Sequence, residues 1–168
     1  MSAARAGLTG LVRRVTDMMG LIPYWVVAFL GRFSIAAVFW KSGQTKIVGF
    51  ALDPFSGTFN FGIPHLSDSA VFLFKEEYKL PFIPPEIAAP LAALAEHVLP
   101  ALLLVGFASR FSALGLLVMT AVIQIFVYPS AYPTHGTWAA VLLMIIVYGP
   151  GKLSVDHFLA SKEQVPRT

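Results

Sequence analysis

An acid and an imidazole stand side by side, Glu96 and His97, near the centre of residues 88–107, AAPLAALAEHVLPALLLVGF. The run is long enough to cross a bilayer. An ionisable side chain at that depth is costly, so it faces the protein interior and marks a pathway or a binding site. Pro100 has no amide N–H, which leaves the carbonyl of Glu96 without its helical partner. A carboxyl group, an imidazole whose ordinary pKa suits proton exchange near neutral pH, and a freed carbonyl then lie within about one helical turn.

Depth, counted along each apolar run from the side of the membrane that holds the termini, indicates what can meet this cluster. At about 1.5 Å per residue, Arg32 lies roughly 14 Å in, Glu96 roughly 16 Å and Gln124 roughly 20 Å. Arg32–Glu96 is therefore the expected ion pair, because an unpaired arginine at this depth costs about 2.5–3.5 kcal/mol on insertion scales. The plain alternative is a pair that only holds two helices in register. A second polar layer, Lys41, Gln44, Lys46, Tyr128 and His135, falls near the other rim and would form the mouth of a cavity. Lys41 and Lys46 also suit simple snorkelling to the interface. No metal site is expected, since His97 and His135 belong to no HxxxH or ExxH arrangement.

The elements that must position these residues are helices. Hydrophobic residues make up 57% of the 168 and charged residues 12%. Soluble domains carry about 25% charged residues, and a mean hydropathy of +0.72 points the same way. We read an all-α bundle of four transmembrane helices, with spans at about 23–46, 86–107, 111–128 and 133–148. Residues 1–22 place Leu8, Leu11, Val12, Val15, Met18, Met19 and Ile22 on one face, as a helix lying in the membrane interface does. A cleavable signal peptide fits less well, because the apolar run that follows contains Arg32. Residues 48–84, broken by Asp53-Pro54, Ser56-Gly57, Pro64 and Pro81, read as a long loop with one short helix near 67–78. The membrane domain closes near residue 157, and 158–168 form a polar tail.

Small residues line the face that carries each charge. The first span places Trp25, Ala28, Arg32, Ala36, Phe39, Gly43 and Lys46 together, and the second places Ala89, Ala92, Ala93, Glu96, Pro100 and Leu103 together. Such faces belong against neighbouring helices rather than lipid. The third span adds a polar stripe, Thr120, Gln124 and Tyr128. Arg5, Arg13, Arg14, Arg110, Lys152, Lys162 and Arg167 fall on one side of the membrane, which makes both termini cytoplasmic by the positive-inside rule. With no basic stripe, nucleic acid is not an expected partner. The absence of cysteine removes thiol chemistry by this chain itself.

The string FWKSGQTKI at 39–47 resembles the end of the first helix in DoxX-type membrane proteins. AEHVLP at 95–100 followed by SRFSAL at 109–114, MTAVIQ at 119–124 and GPGKLSVD at 149–156 resemble that family's later segments. The likeness implies a four-helix bacterial inner-membrane protein, some of whose relatives serve quinone-linked redox or stress-response systems. On that resemblance the expected ligand is a quinone, with no intrinsic cofactor. Glu96 and His97 would exchange protons with it, Arg32 would hold Glu96 charged, and Gln124 would orient the ring. Gln44, Lys46, Tyr128 and His135 would line the approach. The expected partners are the lipid bilayer, other membrane or redox proteins, and further copies of the chain. Neither GxGxxG nor a P-loop is present, so electron chemistry would come from a partner. A small proton-linked transporter subunit, or a non-enzymatic membrane anchor for a partner protein, satisfies the same motif.

Overall fold

The computed structural model describes the backbone of residues 2–163 and the side chains of residues 9–162. The side chains of Arg5 and Leu8, together with Arg167 and the rest of the tail after 163, lie outside the described residues. Helix α1 is Ser2–Met19, α2 is Tyr24–Gln44, and strands β1 (Ile47–Asp53) and β2 (Thr58–Leu66) follow. After them come α3 (Asp68–Leu73), α4 (Pro85–Val105), α5 (Ser109–Val122), α6 (Tyr132–Tyr148) and α7 (Val155–Glu163). A π turn, Phe74–Tyr78, extends α3, and another, Ile123–Val127, extends α5. Four segments are long and apolar enough to cross a membrane: Tyr24–Gln44, Pro85–Val105, Ser109–Val127 and Pro129–Tyr148.

These four close into a square in which α2 packs on α4, α4 on α5, α5 on α6 and α6 on α2. The faces toward the centre are those the periodicity picks out. Ala28, Arg32, Ala36, Phe39 and Gly43 are buried on α2, and Ala89, Ala93, Glu96, Pro100 and Leu103 on α4. Lipid tails are as apolar as leucine, so close packing between small residues, not exclusion of water, holds such a seam. A larger apolar core of Ile35, Phe39, Leu103, Ala113, Leu116, Leu142 and Ile145 fills the centre. The described apolar side chains of α1 find no such partner: Leu11 is 60% exposed and Met18 68%.

Residues 47–66 form an antiparallel hairpin, where the sequence reading has only loop. The hairpin folds back along α2. Its tip residue Phe55 meets Phe33, with ring centroids 6.1 Å apart, so the tip reaches roughly 16 Å back along the helix. Backbone groups at that depth need partners inside the protein. The β1 edge receives them from α2: Trp40 Nε1 donates to the Leu52 carbonyl at 2.8 Å, and Leu52 N–H donates to Gln44 Oε1 at 2.8 Å. Ser67 caps α3, accepting from Ala70 N–H, and the short helix stands where expected.

Helix α5 starts at Ser109, two residues before the expected boundary, because its cap comes from far along the chain. The Asp156 carboxylate accepts from the amides of Ala108 and Ser109, each at 2.8 Å. Gly106 makes the turn before it with φ of +75° and accepts at its carbonyl from Asp156 N–H at 2.8 Å. A Cβ there would stand 2.4 Å from Ser154 Cβ and 2.6 Å from Arg32 Nη1. Gly106→Ala is therefore expected to cost about 2 kcal/mol from overpacking and left-handed strain. Reversible unfolding in nanodiscs would check this, and a neutral change would contradict the close fit.

Candidate functional site

The buried charge of α4 is held from the loop end of α2. Lys46 lies two residues past the end of the helix, and its ammonium lies 2.7 Å from Glu96 Oε2. The same ammonium donates to Ser42 Oγ at 3.1 Å and to the Ser42 carbonyl at 3.3 Å. Ser42 Oγ in turn donates to Glu96 Oε1 at 3.2 Å. Lys46 is 2% exposed and Glu96 3%, so the pair is desolvated from both sides. Oε2 has the ammonium as counter-ion and no other donor among the described residues. Gly43 lets the helices come this close, because a Cβ on it would stand 2.8 Å from the His97 ring and 3.0 Å from Glu96 Cβ.

Arg32 is not the partner of Glu96. Its guanidinium points to the other end of α4, where Nη1 donates to the carbonyls of Leu103 at 3.2 Å and Leu104 at 2.8 Å, and Nη2 to that of Leu153. The depth count compared Cα positions. Side chains on a helix lean toward its N-terminus, and α2 and α4 run in opposite directions. Arg32 therefore leans toward the end of the bundle that holds the chain termini, while Glu96 leans toward the loop end and meets Lys46. For the same reason Lys46 does not snorkel outward as expected. Lys41 does remain on the surface, 3.5 Å from Asp53.

His97 is turned away from its neighbour. Its Nδ1 lies 2.6 Å from the Ala93 carbonyl, so Nδ1 carries the proton and Nε2 accepts from Gln44 Nε2 at 2.8 Å. Trp40 packs across the ring at 5.1 Å. Both nitrogens are engaged, and the ring ties α4 through Gln44 to the β1 edge. Gln124 likewise sits apart from Arg32 and Glu96. It donates from Nε2 to the Pro129 carbonyl at 2.7 Å, and its Oε1 accepts from His135 Nδ1 at 2.7 Å.

Glu96, Ser42, Tyr128 and His135 nevertheless face one space. A cavity of about 400 Å³ lies between α2, α4, α5 and the start of α6, walled mainly by Val38, Phe39, Leu99, Val118, Met119 and Trp138. Phe74, Tyr78 and Leu80, from the segment before α4, cover it at the loop end. That cover is latched: the Tyr128 hydroxyl donates to Glu77 Oε1, and the Tyr128 and Tyr78 rings meet edge to face at 5.9 Å. The bond to Glu77 and burial together push the Tyr128 phenol above its ordinary range, so it keeps its proton and remains a donor. His135 is 5% exposed and packs against Trp138, with ring centroids 5.0 Å apart and the planes tilted by 54°. With Nδ1 committed to Gln124, its Nε2 makes no hydrogen bond among the described residues.

Of the residues singled out from sequence, Glu96, Tyr128 and His135 line the cavity. Lys46 and Gln124 stand directly behind a lining residue, Gln44 and His97 form a separate strut, and Arg32 belongs to another layer. Ser42, Glu77, Tyr78 and Trp138 were missed. Only Ser42 carried a signal, four residues before Lys46 and so on the same face of α2. The family model described as DoxX matches residues 27–129, more than half of the chain. Neither the curated proteins nor the solved structures include a match to it.

Proposed function

This chain belongs to the DoxX family of helical membrane proteins, and from that premise we propose that it is a quinone-binding subunit of a membrane redox system. In this reading it sits in a bacterial inner membrane with both termini cytoplasmic, because the basic residues concentrate on the terminal end. The observation that carries the reading is Glu96 on the wall of an apolar cavity, with buried Lys46 paired to it from behind. Its volume, about 400 Å³, falls in the range of small-molecule sites, where apolar walls and a few placed polar groups bind and orient a ring.

A bound quinol supplies two electrons and two protons when it is oxidised. Those electrons would pass to a partner redox protein of the membrane. The chain offers two proton acceptors on the cavity wall, Glu96 and His135, which replace the expected pair of Glu96 and His97. Lys46 and Ser42 contact the two Glu96 carboxyl oxygens, one each, and fix the orientation of that group on the cavity wall. His135 accepts at Nε2, and its Nδ1–H stays on Gln124 in both protonation states, so Gln124 orients the imidazole instead of the ring of the ligand. His97 is a positioning residue, since accepting a proton at Nε2 would place it against the Gln44 amide donor.

Trp138 gives a direct readout because its ring lines the cavity. A short-chain benzoquinone is expected to quench Trp138 emission saturably in a variant whose only other tryptophans, Trp25 and Trp40, are changed to Phe. Glu96→Gln should weaken that binding about tenfold, the scale of one charge-assisted hydrogen bond. Quenching that never saturates, together with no quinone in lipid extracts of the purified protein, would reject the reading.

A further inference from the structure

The terminal end of the bundle holds a second site. A cavity of about 440 Å³ opens where α2 begins, between the α5 start and the 149–152 loop, with Tyr24, Arg110, Lys152 and His157 on its wall. We infer that this cavity binds a phosphate group at the membrane surface, as carried by the head group of an anionic phospholipid.

The argument rests on charge without a counter-ion. The acid on this wall, Asp156, has both carboxylate oxygens committed to the amides of Ala108 and Ser109. Neither Arg110 nor Lys152 forms an ion pair among the described residues, where the pairs are Lys41–Asp53 and Lys46–Glu96. The Arg110 guanidinium lies over Gly149, 3.5 Å from where a Cβ would stand, and its one acceptor among the described residues is the Val147 carbonyl at 3.5 Å. That is too long to satisfy a planar five-donor group, and such a group matches phosphate oxygens two at a time. Tyr24 is not free to donate, because its hydroxyl is bonded to the Gly149 carbonyl at 2.7 Å and shapes the rim. Trp25 and Tyr148 flank the cavity at the ends of two spans, where aromatic rings mark head-group depth. Basic pockets between helices at this level recognise phosphate on lipid head groups.

The test is thermal unfolding of the purified full chain in detergent, with phosphatidylglycerol, phosphatidylcholine or inorganic phosphate added. Phosphatidylglycerol is expected to raise Tm by about 5 °C at saturating levels. Arg110→Gln/Lys152→Gln should abolish the rise, and Lys75→Gln/Lys79→Gln, at the opposite end, should keep it. Should the double variant fail to fold, Lys152→Gln alone, a change on an exposed side chain outside every span, should at least halve the rise. Inorganic phosphate giving the same rise, also lost in the variant, would uphold the phosphate site and assign it to the free ion. An equal rise with phosphatidylcholine, or a phosphatidylglycerol rise retained in the variants, would overturn the inference.

Discussion

Lys46→Met is expected to destabilise the bundle by about 3–5 kcal/mol, and Lys46→Met/Glu96→Gln to recover most of that loss. The asymmetry follows from where the pair sits. Both side chains are almost fully buried, and the ammonium is the partner of Glu96 Oε2. Removing Lys46 alone strands a carboxylate in an apolar wall, where Ser42 offers one hydroxyl donor to Oε1 and no other described residue donates to Oε2. Bringing a pair out of water costs several kcal/mol per ion before the attraction repays it, so a neutral replacement of both gives up little. The two residues touch, which makes a strong coupling energy in a double-mutant cycle the direct signature. Reversible unfolding in nanodiscs at fixed protein concentration measures it. A double variant no more stable than Lys46→Met would mean that the pair is not what holds this end of α2 to α4.

That pairing was hidden from the sequence for a geometric reason, while the helices that present it were not. Length and hydropathy set the spans, and the spacing of Ala28, Ala36 and Gly43 against Ala89 and Ala93 picked out the α2–α4 seam, because close packing needs small residues wherever they fall in register. A residue count gives the height of a Cα but not of the group that reacts. Arginine and lysine carry their charge roughly 6 Å from the backbone, along a direction set by the helix N-terminus. In antiparallel helices those offsets add, so Arg32 and Glu96 start level and end apart. The hairpin escaped for a different reason. Gly49, Gly62 and Pro64 interrupt its strands as they would a loop, and the groups that satisfy the β1 edge, Trp40 and Gln44, sit on α2 rather than on a third strand. Likewise the α5 cap is Asp156, a residue with no local reason to mark position 109.

His97 and His135 show how far residue type alone carries a site. Both are imidazoles near the loop end, and adjacency to Glu96 favoured His97. Adjacent residues on a helix point about 100° apart, so the residue beside Glu96 in sequence is not beside it in the cavity. What separates the two histidines is the count of engaged nitrogens: two on His97, one on His135. A group with both nitrogens committed holds structure in place, and one with a nitrogen to spare can take a proton. That count needs coordinates.

Arg32→Met is expected to cost about 3 kcal/mol, and adding Glu96→Gln should bring no recovery. Arg32 is fully buried at the terminal end of the bundle, where its guanidinium gathers carbonyls from the end of α4 and from the segment before α7. The last four carbonyls of a helix lack intrahelical donors, and Leu103 and Leu104 lie in the last turn of α4. A cation there also answers the negative end of the helix dipole. By its bond to the Leu153 carbonyl, the same side chain ties α4 to the segment before α7. Hydrogen bonds from a charged donor are worth about 1.5–3 kcal/mol each, and leaving their acceptors buried without partners adds to the loss. Glu96 shares no partner with Arg32, whose bonds go to Leu103, Leu104 and Leu153 while those of Glu96 go to Ser42 and Lys46. Changes without a common partner add within about 0.5 kcal/mol, so the cycle that is strongly coupled for Lys46 and Glu96 should be flat for Arg32 and Glu96. Rescue of Arg32→Met by Glu96→Gln would show that the two charges are one layer after all, and the separation of the terminal and loop ends of the bundle would have to be abandoned.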